Sequence, residues 1–378
     1  MARRMLLFLL LIPLMLLSTT SCWDRLEIED QAFIIGVAVD QAEDPDKITV
    51  TFQIAQPQAF IAESQVAEPF FNIKETAEDV TAARNQLARG INWIPTMEHC
   101  QVILVGEELA REGLKKHMDF ALRTHEVRRR LQIGVVQGKA GDILDMKFKS
   151  DLVPSFVISE MMNQNSQYTF SLTDYMSIGS LHVASVENYD FILSRIIPIG
   201  EKLDMSGGAV FRNFHLSGWL SGEELIGARF LRGDVSSGYL TVDLPPDLGD
   251  KVMLRVFESQ SELRPEIRDD KLYAILDLRL EGDINEIVNP RAKLTDSEFI
   301  SQCRALFENY VKTIITNTFH KVQREYESDP FRLKEKLESY YPEFWKENAD
   351  NWDEIYQSAE LEIEGEVRIR RIGEIKSR

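Results

Sequence analysis

The stretch Phe33-Ile34-Ile35-Gly36-Val37-Ala38-Val39 is apolar throughout. After Glu43-Asp44-Pro45-Asp46 comes a second β-rich run, Ile48-Thr49-Val50-Thr51-Phe52-Gln53-Ile54. β-Branched and aromatic residues on both sides of a turn signal read as two neighbouring strands. Downstream, Thr76 opens a helical pattern with apolar residues at Ala77, Val80, Ala83, Leu87 and Ala88, and Gly90 takes the closing position. Cys100 to Val105 is a short apolar strand, and Glu107 to Arg123 is a helix interrupted at Gly113. Leu131 to Val136 is another strand, followed by a short helix near Ile143. A two-strand start followed by alternating strands and helices predicts a mixed sheet with helices packed on it.

Glycines cluster between Pro198 and Gly208, which places a boundary there. Beyond it Val252, Leu254 and Val256 alternate with longer residues, and Leu272, Ala274, Leu276, Leu278 and Leu280 share one parity, as in half-buried strands. The longest helical signal begins with Thr295 and Glu298 as a capping box. It continues through Phe299, Cys303, Leu306, Tyr310, Val311, Ile314 and Ile315 to Val322, about eight turns. Asp329-Pro330 then reads as the cap and first residue of a further helix. The chain closes on a strand with Leu361, Ile363, Val367 and Ile369 on one face and charged residues on the other. No internal repeat or low-complexity linker interrupts this pattern.

A length of 378 residues suggests two or three domains at roughly 100–200 residues each. With 44% hydrophobic and 28% charged residues the chain can bury a sizeable core, which argues against disorder. Its formal charge of -18 repels phosphate backbones, so no nucleic-acid partner is expected. Three cysteines in a chain this long make no disulfide framework.

Arg3 and Arg4 precede the apolar run Met5–Leu17, small polar residues Ser18–Ser21 follow, and then comes Cys22. A positive start, a short apolar core and a small-residue exit make a secretory signal. The run holds only 13 residues, short of the roughly 20 that a spanning helix needs. The position of Cys22 resembles a bacterial lipoprotein signal, with Thr19, Thr20 and Ser21 standing where Leu, a small residue and Gly or Ala are usual. That resemblance implies cleavage after Ser21, a diacylglycerol thioether on Cys22 and acylation of its new amino terminus. Two acyl chains anchor a protein stably. An ordinary secretory signal with an incidental cysteine is the alternative.

Cys22-Trp23-Asp24-Arg25-Leu26-Glu27-Ile28, followed by the strand ending Gly36-Val37-Ala38-Val39-Asp40, is similar to the opening of the Ger(x)C family, the C subunits of bacterial spore germinant receptors. Val102–Gly113 resembles the family's strand-then-helix segment. Gly208-Ala209-Val210-Phe211-Arg212 with Leu216-Ser217-Gly218-Trp219-Leu220 resembles its hairpin. Gln323, Asp329-Pro330-Phe331, Trp345, Trp352 and Arg371-Ile372-Gly373 resemble its C-terminal part. The resemblance implies an α+β lipoprotein with a role in nutrient-triggered germination. It also implies a membrane complex with A and B subunits on the outer face of the spore inner membrane.

Gly134-Val135-Val136-Gln137-Gly138-Lys139-Ala140 looks like a phosphate loop, but it has three residues between the glycines instead of four and Ala140 has no hydroxyl. It is read as a strand-to-helix turn. His99, His117, His125, His182, His215 and His320 form no metal-ligand pair, and no cysteine pair has zinc spacing. No Gly-x-Ser-x-Gly elbow is present. We therefore expect no enzyme, no cofactor and no metal. Arg123, Arg128, Arg129 and Arg130 form the one local basic cluster, a solvated turn or a docking patch for an acidic partner or lipid headgroups. Cys100 and Cys303 read as unpaired core thiols, with a disulfide between them left open. Trp219, Trp345 and Trp352 read as partly buried structural aromatics or interface anchors, and Trp23 as a residue that could sit at headgroup depth.

The expected architecture is thus α+β: mixed sheets with packed helices in two main regions, and a long capped helix in the second. The expected organisation is a signal peptide at 1–21, an N-terminal domain at 22–200 and a C-terminal domain at 201–378 with a further division near 250. The expected role is a non-catalytic subunit that assembles with and stabilises the membrane-embedded A and B subunits, without a small-molecule ligand of its own. A solute-binding lipoprotein that captures the nutrient directly is the alternative, and a wall-lytic lipoprotein a further one.

Overall fold

Along Val102-Ile103-Leu104-Val105 the side chains alternate between two separate cores. Ile103 and Val105 join one apolar cluster, and Val102 and Leu104 another. A strand buried on both faces is a central strand with helices above and below it, which explains its unbroken apolar sequence. The structure is a computed structural model that describes residues 27, 30–56, 68–124, 126–148, 153–164, 169–172, 176–235, 237–291 and 297–372.

The strands of the first sheet are β1 (Gln31–Gln41), β2 (Ile48–Ala55), β3 (Phe70–Ala77), β4 (Ile94–Thr96), β5 (Val102–Gly106) and β6 (Gln132–Val136). β7 (Met176–Ser177), β8 (Phe191–Ile199), β9 (Lys202–Asp204), β10 (Gly208–Arg212) and β11 (His215–Leu220) complete it. The order is β11-β10-β8-β6-β5-β1-β2-β3, with β4, β7 and β9 as short additions. The middle strands β1, β5, β6 and β8 are parallel, and both flanks are antiparallel. One face carries α1 (Val80–Gly90), α2 (Glu107–Glu112) and α3 (Lys115–Arg123). The other carries α4 (Ala140–Leu144) and α5 (Pro154–Gln164). A sixth helix, α6 (Ile178–Glu187), packs on α3.

The second sheet runs β12 (Gly238–Asp243), β13 (Lys251–Arg268), β14 (Lys271–Val288) and β15 (Glu360–Ile372), the last pair parallel. Asp269 and Asp270, at φ 50 and 60, make the two-residue turn of the long β13–β14 hairpin. Against this sheet pack α7 (Gly222–Arg232), α8 (Ser297–His320), α9 (Leu333–Tyr340), α10 (Pro342–Asn348) and α11 (Trp352–Ser358). Gly227 lets α7 lie close on α8, since a Cβ there would stand 2.6 Å from Thr318 Oγ1. The core of this half includes Ile192, Val210 and Leu220 from the first sheet, so the two sheets share one apolar cluster. The architecture is the α+β arrangement of two mixed sheets with a long C-terminal helix.

Three local readings of the sequence are corrected. Thr76 and Ala77 belong to β3, paired with Thr49 and Ile48, and the helix starts at Val80 with Asp79 as its cap, accepting from Ala82 N. A cross-strand ladder satisfies the 70–77 backbone before the helical periodicity can. Gly90 is the last helical residue, and the cap is Ile91 in an extended conformation. Asp329-Pro330 does not open a helix directly: Arg332 adopts φ 59 and α9 begins at Leu333, while the Asp329 carboxylate reaches forward to accept from Lys334 N. The long helix is regular to His320, then widens into a π turn at Lys321–Glu325 that keeps Val322 buried. Thr295 lies outside the described residues.

Candidate functional site

Cys22, Ser21 and Trp23 lie outside the described residues, as do His125 and Gly373. Within them, the strongest convergence of polar groups is the joint between the two sheets. Asp190 stands just before β8. Its Oδ1 accepts from Asn213 N at 3.0 Å, in the β10–β11 turn, and its Oδ2 accepts from Asp329 N at 2.9 Å, beyond α8. One carboxylate therefore ties the end of the first sheet to the second half. Arg212, at the end of β10, pairs with Glu327 and with Asp353 at 2.8 Å. Ser328 Oγ donates to Phe211 O, and Tyr356 OH donates to Ser328 O at 2.9 Å. Arg332 pairs with Glu187 and lies 4.5 Å from the centre of the Tyr189 ring.

Asp329 is buried at the middle of this joint, and its Oδ1 has no hydrogen-bond partner. Burial pushes its pKa up to about 7. Backbone donors from Lys334 and Leu333 oppose the rise, and the nearby Glu335 and Asp190 carboxylates add to it. Beside the joint lies a cleft of about 350 Å³ lined by Met176, Tyr189, Phe191, Arg232, Arg332 and Lys336. Its cations are engaged: Arg232 with Asp234, Arg332 with Glu187, and Lys336 with Leu263 O. Nothing in the sequence marked Asp190. Asp329-Pro330-Phe331 was visible as a motif, but its long-range partners were not.

The hairpin β10–β11 is the other side of the joint. Asn213 and Phe214, at φ 48 and 69, form its turn. Gly218 lies under the Tyr326 ring, where a Cβ would stand 2.2 Å from Cε1. The ring sits flat enough for Tyr326 OH to donate to Trp219 O at 2.8 Å, alongside Lys321 Nζ at 3.2 Å. Trp219 Nε1 donates to Glu107 Oε1, and Arg195 lies over the indole. Trp345 and Trp352 pack edge to face, 5.9 Å between centres.

The phosphate-loop lookalike has its own anion. Asp40 Oδ1 accepts from Ala140 N at 2.6 Å and Oδ2 from Gly141 N at 2.8 Å, so a buried carboxylate occupies the start of α4 where a phosphate would sit. Burial raises the Asp40 pKa against those two donors. Of the histidines, His117 is buried with Nδ1 unpartnered, and burial lowers its pKa. No group of three metal-capable side chains occurs among the described residues. Cys100 and Cys303 are both free and buried. No helix among the described residues is long and apolar enough to cross a membrane. In the basic cluster Arg123 pairs with Asp119, whereas Arg128 and Arg130 line a hollow with Gln132, Ser159 and Asn163.

Two mixed sheets clamped through a hairpin and a post-helix loop define a known class of fold. The crystal structure of the GerBC protein superimposes with a TM-score of 0.61 at 19% identity, covering 91% of this chain and 100% of that one. Residues 24–198 match the model for the spore germination protein N-terminal domain, and residues 206–373 that for spore germination B3/GerAC-like, C-terminal. Spore germination protein B3 of Bacillus subtilis (strain 168) is 22% identical over 367 residues, 96% of each chain. Spore germination protein KC of that strain is 24% identical over 400 residues, again 96% of each chain. The chain belongs to the Ger(x)C family, the C subunits of spore germinant receptors.

Proposed function

We propose that this chain is a non-catalytic, lipid-anchored subunit that assembles with and stabilises the membrane-embedded A and B subunits of a germinant receptor. It would sit on the outer face of the spore inner membrane, held by a diacylglycerol thioether on Cys22 after cleavage behind Ser21. The observation that carries this is the succession of the two family matches, over 24–198 and 206–373, the first starting two residues after Cys22. Residues 22–200 and 201–378 act on this reading as two units held rigidly through the Gly208–Leu220 hairpin and the Asp190–Asp329 joint. A stiff body on a two-chain anchor is suited to bracing neighbours. Apart from Asp329 Oδ1, the joint's carboxylates Asp190, Glu187, Glu327 and Asp353 are engaged with backbone amides and arginines, which supports a structural role over a catalytic one.

The test is Cys22→Ala in spores, followed by membrane fractionation and a germination assay. Release from the membrane with a weakened nutrient response is expected, and normal membrane retention would refute the anchor. The cleft beside Tyr189 gives the solute-capture reading a foothold. Calorimetry of the purified chain with amino acids and sugars separates the two, since micromolar binding would overturn ours.

A further inference from the structure

β1, β4, β5 and β6 all run in the same direction. Gln31 pairs with Ile94, Gly36 with Val102, and Val102 with Gln132. Residues just before these strands therefore lie at one end of the sheet, and that is the end at which the chain arrives from Cys22. Eight residues lie between Cys22 and Gln31, nine Cα steps that reach at most about 32 Å.

This end differs from the rest of the surface in two ways. Trp93 and Ile94 stand 39% and 48% exposed at its tip, the indole backed by Phe71. Ahead of β6, two strands from β1 in the sheet order, comes Arg128-Arg129-Arg130, the only run of three consecutive cations in a chain of formal charge -18. All three are exposed, and none has an ion-pair partner among the described residues. Arg128 and Arg130 rim a hollow of about 360 Å³. Gln132, 3% exposed, lines the same hollow with its Oε1 unpartnered. Exposed acids share this end: Glu27 and Asp30 before β1, Glu98 before β5, and Glu126, which pairs with Arg84.

We propose that this sheet end is the face that lies on the bilayer. Trp93 and Ile94 enter the interfacial zone, and Arg128–Arg130 with Gln132 receive anionic phosphate headgroups. The inference rests on the anchoring proposed above, which brings this end within reach of the membrane. Charge supplies the orientation: an anionic leaflet attracts the arginine run and repels the acidic remainder. An indole beside an apolar neighbour is suited to headgroup depth.

The experiment uses the full lipidated chain reconstituted in vesicles with brominated acyl chains, either phosphatidylglycerol with phosphatidylcholine or phosphatidylcholine alone. Flotation reads anchoring, and bromine quenching of tryptophan emission reads insertion. Trp93→Phe should remove a quenchable component from the anionic vesicles. R128Q/R129Q/R130Q should shift the docked-to-undocked ratio by roughly 100-fold there, with little effect on phosphatidylcholine. A chain that floats while wild type and Trp93→Phe quench identically overturns the inference and leaves the anchor standing. A chain that does not float overturns both. Trp93 shielded only in spore membranes, never in pure vesicles, would make this a protein-docking face and overturn the bilayer assignment.

Discussion

Replacing Asp329 by Asn should remove a pH dependence that the wild-type chain carries. The carboxyl titrates near 7 in the fold against 3.8 ordinarily, because it is buried with one oxygen unpartnered. Its folded pKa is raised, so its stabilising contribution is complete below about pH 4 and is lost as pH rises through 7, where the fold must hold a buried charge. The whole span corresponds to about 4 kcal/mol, and the part between about pH 5.5 and 8 to about 2 kcal/mol. For a chain of this size that is a fall in melting temperature of roughly 3 °C. Asn is neutral at every pH and can still accept from Lys334 N, so its melting curve should lose this slope. Glu335, also raised by burial, adds to the wild-type slope, while His117 and His320, lowered by burial, oppose it. The readout is therefore the difference between wild type and variant in melting scans at the two pH values. Parallel pH profiles would refute the assignment of a buried, neutral Asp329.

Two further outcomes follow from the packing. Gly218→Ala should destabilise the chain by about 3 kcal/mol, because the new methyl meets the Tyr326 ring at 2.2 Å and displaces the phenol that donates to Trp219 O. Denaturant titration measures it, and a change below about 0.5 kcal/mol would refute the contact. Cys100 and Cys303 should resist maleimide in the native chain and both label after unfolding without reductant, since burial pushes their thiols up to about 12 and 11. A thiol count below two on unfolding would mean that they pair.

Central strands, interrupted helices and the closing strand were legible because their causes are local. Val102–Val105 is apolar on both faces, Gly113 breaks a helix at φ 131, and the single parity of Leu272 to Leu280 follows from a pleat with one buried side. Thr76 was misread because helical spacing and an edge strand compete over the same residues, and only pairing with β2 separates them.

The amino-acid order alone was enough for the class of fold and the family, and it makes Cys22 the candidate for lipid, since each reading depends on short local patterns. Folding had to supply the joint and the basic, tryptophan-tipped sheet end. Asp190 meets a backbone amide 139 residues away, and Trp93, Arg128 and Gln31 share one edge only because parallel strands start there together. Neither partnership leaves a periodicity in the sequence, because it is set by strand direction and close packing across the molecule.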